Sequence, residues 1–305
     1  MTLEALPDSI RVFERGWLSS NNVLLIGRDD TALIDSGYLT HAPQTVALVE
    51  QGLRGRPLDR LLNTHLHSDH CGGNAALQRR YACRTAIPAA EADKVRRWDT
   101  EALSFKATGQ RCERFSFDAT LAPGDTLTLA GMEWQALGAP GHDPHSLIFY
   151  CPRERILVSA DALWENGFGV IFPELDGESG FAEARATLEL IAGLDVRLVI
   201  PGHGAPFGDV AAALKRAFSR LDYLSADPQR NAQNALKVLL KFLLLERQRI
   251  ALTDVPMLLM AMPVFEAANR RFLQKSPQAL GQWAVEQLLR AGAARIDGEH
   301  LLNEA

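Results

Sequence analysis

Cysteine is scarce in this chain: four in 305 residues (Cys71, Cys83, Cys112 and Cys151), with no CxxC pair. That spacing excludes a disulfide framework or a cysteine zinc site and fits free thiols in a reducing cytosol. No apolar stretch reaches the roughly 18 residues free of charge and proline that a membrane span needs. The opening residues MTLEALPDSI lack the basic and apolar regions of a secretory signal, so the expected compartment is the cytoplasm. Neither charge sign dominates. Lys and Arg number 32 against 37 Asp and Glu, a net charge of −5, which excludes a wholesale polyanion binder. No internal repeat or low-complexity segment appears. A chain of this length buries a core without a covalent or metal staple.

The first two thirds alternate strand and helix signals. Strands are expected at 10–18, 22–26, 31–35, 58–64, 85–87, 126–129, 132–137, 146–151, 155–160 and 197–200. Helices are expected at 43–52, 69–81, 89–105 and 178–194. This pattern predicts an α/β class with two mixed sheets and helices outside them. After about residue 208 helical periodicity takes over, at 210–226, 231–249 and 278–291. A further start lies at Thr253-Asp254-Val255-Pro256, with Thr253 as the cap. The chain closes on a hairpin signal with Asp297-Gly298 at its turn. The charge divides in the same way. Residues 206–305 hold 13 basic and 10 acidic residues, and the first 205 hold 19 and 27. Two units are expected: a catalytic domain at 1–225 and a helical, winged-helix-like region at 226–305.

The chemistry concentrates in histidine. Six of eight fall in three short clusters. Thr64-His65-Leu66-His67-Ser68-Asp69-His70 packs four metal-capable side chains into six residues. If His65 and His67 leave a strand end, the period of two aims both rings the same way. Gly72-Gly73 beside them permits close backbone approach. The second cluster is Pro140-Gly141-His142-Asp143-Pro144-His145, and the third is Pro201-Gly202-His203-Gly204. Between them Asp161 ends the apolar run Ile156–Ala160. Imidazole is the commonest metal ligand, and one core cannot absorb so many polar groups unpaired.

The order HLHSDH, Pro-Gly-His, strand-end Asp, Pro-Gly-His resembles the metallo-β-lactamase superfamily. The motifs run from 65 to 203. The resemblance implies an αββα sandwich with two divalent metal ions at one sheet edge. His65, His67 and His142 would hold one ion, Asp69, His70 and His203 the other, and Asp161 would bridge. Asp35 would support the site from behind. Nitrogen and oxygen ligands suit zinc, and also iron or manganese. Asp69 would serve as proton carrier, and His145 as a donor to a substrate oxygen.

The departures from the family narrow the reading. The true β-lactamases mostly carry a cysteine in the second metal site and lack the bridging Asp; here Asp161 stands at that strand end. The lactonase branch has Tyr three residues after the bridging Asp, where this chain has Trp164. Only 41 residues separate Asp161 from His203, too few for the nuclease cap domain. His142 and His145 are three apart, where many relatives have four. Trp164, Asn166 and Phe168 are expected at the pocket mouth, and Arg96, Arg97, Lys106 and Arg111 form a solvated basic stretch.

The favoured function is a binuclear metal-dependent hydrolase of a small ester or thioester, similar to hydroxyacylglutathione hydrolases. The tail is also similar to that of the β-lactamase-like protein 2 group, which makes a metal-dependent RNA endonuclease the alternative. Its modest positive charge does not favour nucleic acid. A lactonase or a non-enzymatic binding protein on the same fold is the remaining alternative. The partner is then a small-molecule substrate, with no membrane. The apolar runs Val238–Leu245 and Met257–Met262 need burial, in the tail's own core, over the site or in a homodimer.

Overall fold

The computed structural model describes residues 6–304. The first five residues of the expected catalytic domain, and Ala305, lie outside it. Six strands form the first sheet in sequence order: β1 (Ile10–Phe13), β2 (Asn22–Ile26), β3 (Thr31–Ile34), β4 (Arg60–Leu62), β5 (Arg84–Pro88) and β6 (Ala119–Leu121). β1 to β3 pair antiparallel, and β3 to β6 pair parallel. The second sheet runs β11-β10-β9-β8-β7, from β7 (Thr126–Leu129), β8 (Met132–Gly138), β9 (Leu147–Cys151), β10 (Ile156–Ala160) and β11 (Leu198–Pro201). Its edge pair β10–β11 is parallel.

Side-chain alternation explains why these strands stack. Val23, Leu25, Ala32 and Ile34 face Phe149, Ile156, Val158, Leu198 and Ile200 in one core between the sheets. The residues between them, Leu24 and Leu33, turn outward onto α1 (Ala42–Leu53) and α3 (Asn74–Tyr81). Leu157 and Val199 turn outward onto α6 (Phe181–Ala192) and α7 (Val210–Ser225). Strands buried on both faces read as unbroken apolar runs, and the result is the expected αββα sandwich.

Several local expectations need correction. The strand expected at 10–18 ends at Phe13. The helix expected at 69–81 is two, α2 (Ser68–Cys71) and α3, parted at Gly72-Gly73. A Cβ on Gly72 would sit 2.5 Å from the Ser68 carbonyl oxygen, and one on Gly73 would overlap that of Ser36. The helix expected at 89–105 is a short turn followed by α4 (Ala92–Arg97). It stops at Trp98, whose φ is +54°. Thr253 caps nothing: Asp254 precedes α9 (Val255–Met260), with no side-chain cap bond. Periodicity gave no sign of β6, of α5 (Pro173–Asp176) or of α10 (Pro263–Ala268), which are too short to show a pattern.

After α7 the chain continues through α8 (Pro228–Arg247), β12 (Arg249–Ala251), α9, α10, a π-helical turn at Asn269–Leu273, α11 (Pro277–Arg290), β13 (Ala294–Asp297) and β14 (His300–Asn303). Its sheet runs β12-β14-β13. Leu236, Leu240, Phe265, Leu280, Leu288 and Leu301 form its core, which also takes in Val170 and Leu175 from the loop after β10. The apolar run in α8 is thus buried within this chain.

Candidate metal centre

Strand ends deliver the polar groups. β4 runs into the loop that carries His65 and His67, and α2 carries Asp69 and His70. His142 follows β8, Asp161 follows β10 and His203 follows β11. Both sheets therefore open onto one edge. His65, His67 and His142 gather into one group, and Asp69, His70, Asp161 and His203 into a second, with ligand atoms in each within 4.8 Å of one another.

The first group is three ring nitrogens turned toward one another. His67 Nδ1 stands 3.1 Å from His65 Nε2 and 2.8 Å from His142 Nε2. The opposite nitrogens are occupied. His142 Nδ1–H donates to the Val170 carbonyl at 2.5 Å, and His65 Nδ1–H donates to Thr64 Oγ1 at 3.1 Å. The inward nitrogens of both rings are therefore bare lone pairs, the arrangement a cation satisfies. Burial holds His65 well below its usual pKa, with His70 and His67 adding to it. Burial likewise lowers His67, and pushes His142 down to about 4. Neutral imidazoles are the form that ligates.

The second group is anionic. Burial pushes Asp161 up, but His70 and His203 outweigh it and hold the carboxylate well below its usual range. Asp69 is lowered against burial by His70 and His203. Burial pushes His70 down, and Asp161, Asp35 and Asp69 together lift it well above its usual value. His70 Nδ1–H donates to Asp35 Oδ2 at 2.8 Å, and its Nε2 is buried without a hydrogen-bond partner. Asp161 faces both groups. One oxygen lies 3.4 Å from His70 Nε2, and the other 3.3 Å from His142 Nε2. The bare nitrogens, the orphaned His70 Nε2 and the buried carboxylates fit a pair of divalent cations. Among the described residues neither group contains a cysteine.

The backbone is shaped to the site. Asp35 has φ +60° and Ala160, just before Asp161, has φ +46°, a conformation that side-chain-bearing residues rarely adopt outside constrained sites. Asp35 also accepts from Thr64 N–H at 2.9 Å and Thr64 Oγ1–H at 2.8 Å. A Cβ on Gly202 would overlap the Asp161 carboxylate, and one on Gly169 would lie 2.5 Å from His142 Nδ1.

A cavity of about 470 Å³ opens over the two groups, lined by His67, Asp69, His142, Asp161 and His203. Trp164 and Phe168 line it as expected from sequence; Asn166 does not. His145 is the exception among the expected site residues. It lines no part of the cavity, and its Nδ1 is bound to the buried carboxylate of Glu91. The donor role expected for it has no geometric support. Of the basic stretch, Arg96 pairs with Asp93, Lys106 with Glu101 and Arg111 with Glu246.

Sequence reading missed Trp17, which stacks on His203 at 5.3 Å and 13°, and Glu91. Val238, Leu239 and Phe242 of α8 wall the cavity, one of the placements left open for that apolar run, and Val264 of α10, which sequence reading did not place there, joins them. No motif marks these positions.

The chain matches the metallo-β-lactamase superfamily over residues 15–203. A hydroxyacylglutathione hydrolase of Hyphomonas neptunium is 28% identical over 148 residues, 45% of this chain and 50% of that protein. One of Synechococcus sp. (strain JA-3-3Ab) is 31% identical over 147 residues, 44% and 51%. The chain thus spans about half the length of the curated relatives it matches. A metallo-β-lactamase family protein of Thermus thermophilus shares the fold over 98% of this chain and 100% of its own, with TM-score 0.56 and 22% identity. A chain solved in a di-iron-bound form aligns over 68% of this one and 98% of its own, with TM-score 0.55 and 24% identity.

Proposed function

Because the chain belongs to the metallo-β-lactamase superfamily, we propose that it is a metal-dependent hydrolase of small thioesters or esters. The observation that carries this reading is the convergence of two ligand groups on one carboxylate, Asp161, at the wall of a cavity. His65, His67 and His142 would hold one divalent ion and Asp69, His70 and His203 the other, with Asp161 shared between the two groups. Zinc, iron and manganese all suit this donor set. Such a pair, when bound, supplies a nucleophile at neutral pH and polarises a carbonyl oxygen.

The chain's own residues do the rest. Asp69 is held ionised by His70 and His203, so its carboxylate accepts the proton released by the attacking water and returns it to the leaving sulfur or oxygen. Asp35 accepts from His70 Nδ1–H and so orients the ring with Nε2 toward the site. Phe168, Val170 and Phe172 line the cavity with apolar surface, which excludes bulk water and accommodates an acyl group. Residues 1–225 serve as the catalytic domain, and 226–305 complete its cavity. The relatives named hydroxyacylglutathione hydrolase and the solved di-iron form support a thioester substrate and a two-metal centre.

The test is turnover of S-acyl-glutathione and acyl-coenzyme A panels by metal-replete protein, with and without chelator. Chelator-sensitive thioester hydrolysis is expected. Cleavage of single-stranded RNA without thioester turnover overturns the reading.

A further inference from the structure

Two arginines show how this chain usually satisfies a guanidinium. The buried Arg15 donates to Asn22 Oδ1 at 2.7 Å, Thr45 Oγ1 at 2.9 Å and Gln44 Oε1 at 2.9 Å. The exposed Arg216, on α7, donates to the Glu165 carbonyl at 2.8 Å. Arg220, one turn further along α7, is different. It lines the same cavity as Asp69, Asp161 and His203. Its Nε is buried with no hydrogen-bond partner, and among the described residues no carboxylate forms an ion pair with it. Asp176 and Glu266 share the cavity wall but do not pair with it.

Its position is fixed by packing. The guanidinium carbon lies 5.7 Å from the centre of the Phe168 ring. A Cβ on Gly167 would stand 3.0 Å from Arg220 Cδ, so the glycine makes room for it. Burial lowers its pKa. Burial also lowers Lys237, half-buried on α8, and the charge that adds to the effect is Arg220 itself. A buried guanidinium with no ion-pair partner among the described residues destabilises the free protein, because a desolvated charge is costly until it is paired. An arginine fork matches the planar or tetrahedral oxygens of a carboxylate or phosphate.

We propose that Arg220 is the recognition site for an anionic tail, carboxylate or phosphate, on the molecule that occupies this cavity. That the molecule is a thioester or ester substrate rests on the hydrolase reading above; that it is anionic does not. Arg220 is on this view a specificity residue, and bond cleavage stays with the metal groups.

The experiment compares metal-loaded wild type with Arg220→Met and Arg220→Lys. Substrates come in matched pairs: S-acetyl-3-mercaptopropionate against its amide, and S-acetyl-4′-phosphopantetheine against S-acetylpantetheine. The readout is the ratio of kcat/KM for the anionic member over the neutral one. Arg220→Met is expected to lower that ratio by about tenfold or more, with Arg220→Lys retaining part of it. The pair with the larger drop identifies the anion as carboxylate or phosphate. A purely structural role would lower Tm and slow both members alike, so a ratio within about twofold of wild type overturns the proposal. Succinate and inorganic phosphate, titrated against the fluorescence of Trp17 and Trp164, give a reading independent of turnover. Arg220→Met is expected to weaken binding of one of them by about tenfold; equal affinities overturn the proposal. If wild type cleaves no thioester or ester, the hydrolase reading fails and this titration alone decides the Arg220 site.

Discussion

Asp35 touches no cation in the proposed scheme, yet it governs one ligand. Its carboxylate receives His70 Nδ1–H and two bonds from Thr64, so it sets which nitrogen of His70 faces the site. Asp35→Asn is expected to weaken metal affinity by about 10- to 100-fold, the range typical of groups that orient a ligand from behind. Competition with a chromophoric chelator measures this, and an affinity equal to wild type would contradict it. Glu91 and His145 form a second pair, a buried carboxylate against a half-exposed imidazole. Glu91 holds His145 above its usual 6.5. Burial raises Glu91, but His145 and Lys94 outweigh it and hold it below its usual 4.5. The histidine's contribution to stability is complete below 6.5 and disappears as pH rises through its raised value. The glutamate's is complete above 4.5 and disappears as pH falls through its lowered value. His145→Gln should therefore show its largest Tm deficit between pH 4.5 and 6.5, closing toward alkaline pH. A deficit independent of pH would show that the pair is not ionic.

The strand ends are where elements meet chemistry. β10 and β11 are parallel neighbours, so their last residues arrive side by side and Asp161 and His203 share one edge. That closeness leaves no room for a side chain at 202, where a Cβ would overlap the Asp161 carboxylate. Gly202→Ala is expected to cost about 1–3 kcal/mol, as overpacking usually does, and to reduce bound metal per chain. Elemental analysis and thermal melting check both, and full metal occupancy at unchanged Tm would refute it. At this scale sequence reading succeeded where elements were long or strand-periodic and failed where they were short. The α2–α3 break needed knowledge of what the glycines touch, Ser36 and Ser68, which no local pattern carries.

For the whole molecule, the metal groups tie two sheets together at one edge, and the later helices wall the cavity above them. α8 is fastened to the first layer by Phe242, whose ring meets Tyr38 edge-on at 5.1 Å, and by the Arg111–Glu246 ion pair. On the proposed two-metal reading, ligands drawn from both sheets would make metal binding part of folding stability. Exhaustive chelation is therefore expected to abolish turnover and lower Tm. The loss should amount to about 3–4 kcal/mol relative to protein in free metal at roughly 100 to 1,000 times Kd. Restoration by zinc, iron or manganese, added singly, identifies the ion that works. A Tm indifferent to chelation would mean that no ion joins the sheets.

Residue order was enough to specify the sandwich and the polar groups at its edge. Unbroken apolar strands have to be covered on both faces, and the histidines and aspartates that close those strands have no apolar place to go. Packing in three dimensions decided the rest: that Asp161 turns one oxygen to each group, that His145 faces Glu91 instead of the cavity, and that Arg220 has no ion-pair partner among the described residues. Those outcomes depend on atoms brought together from positions dozens of residues apart, and such proximity is a property of packing that neither residue type nor spacing encodes.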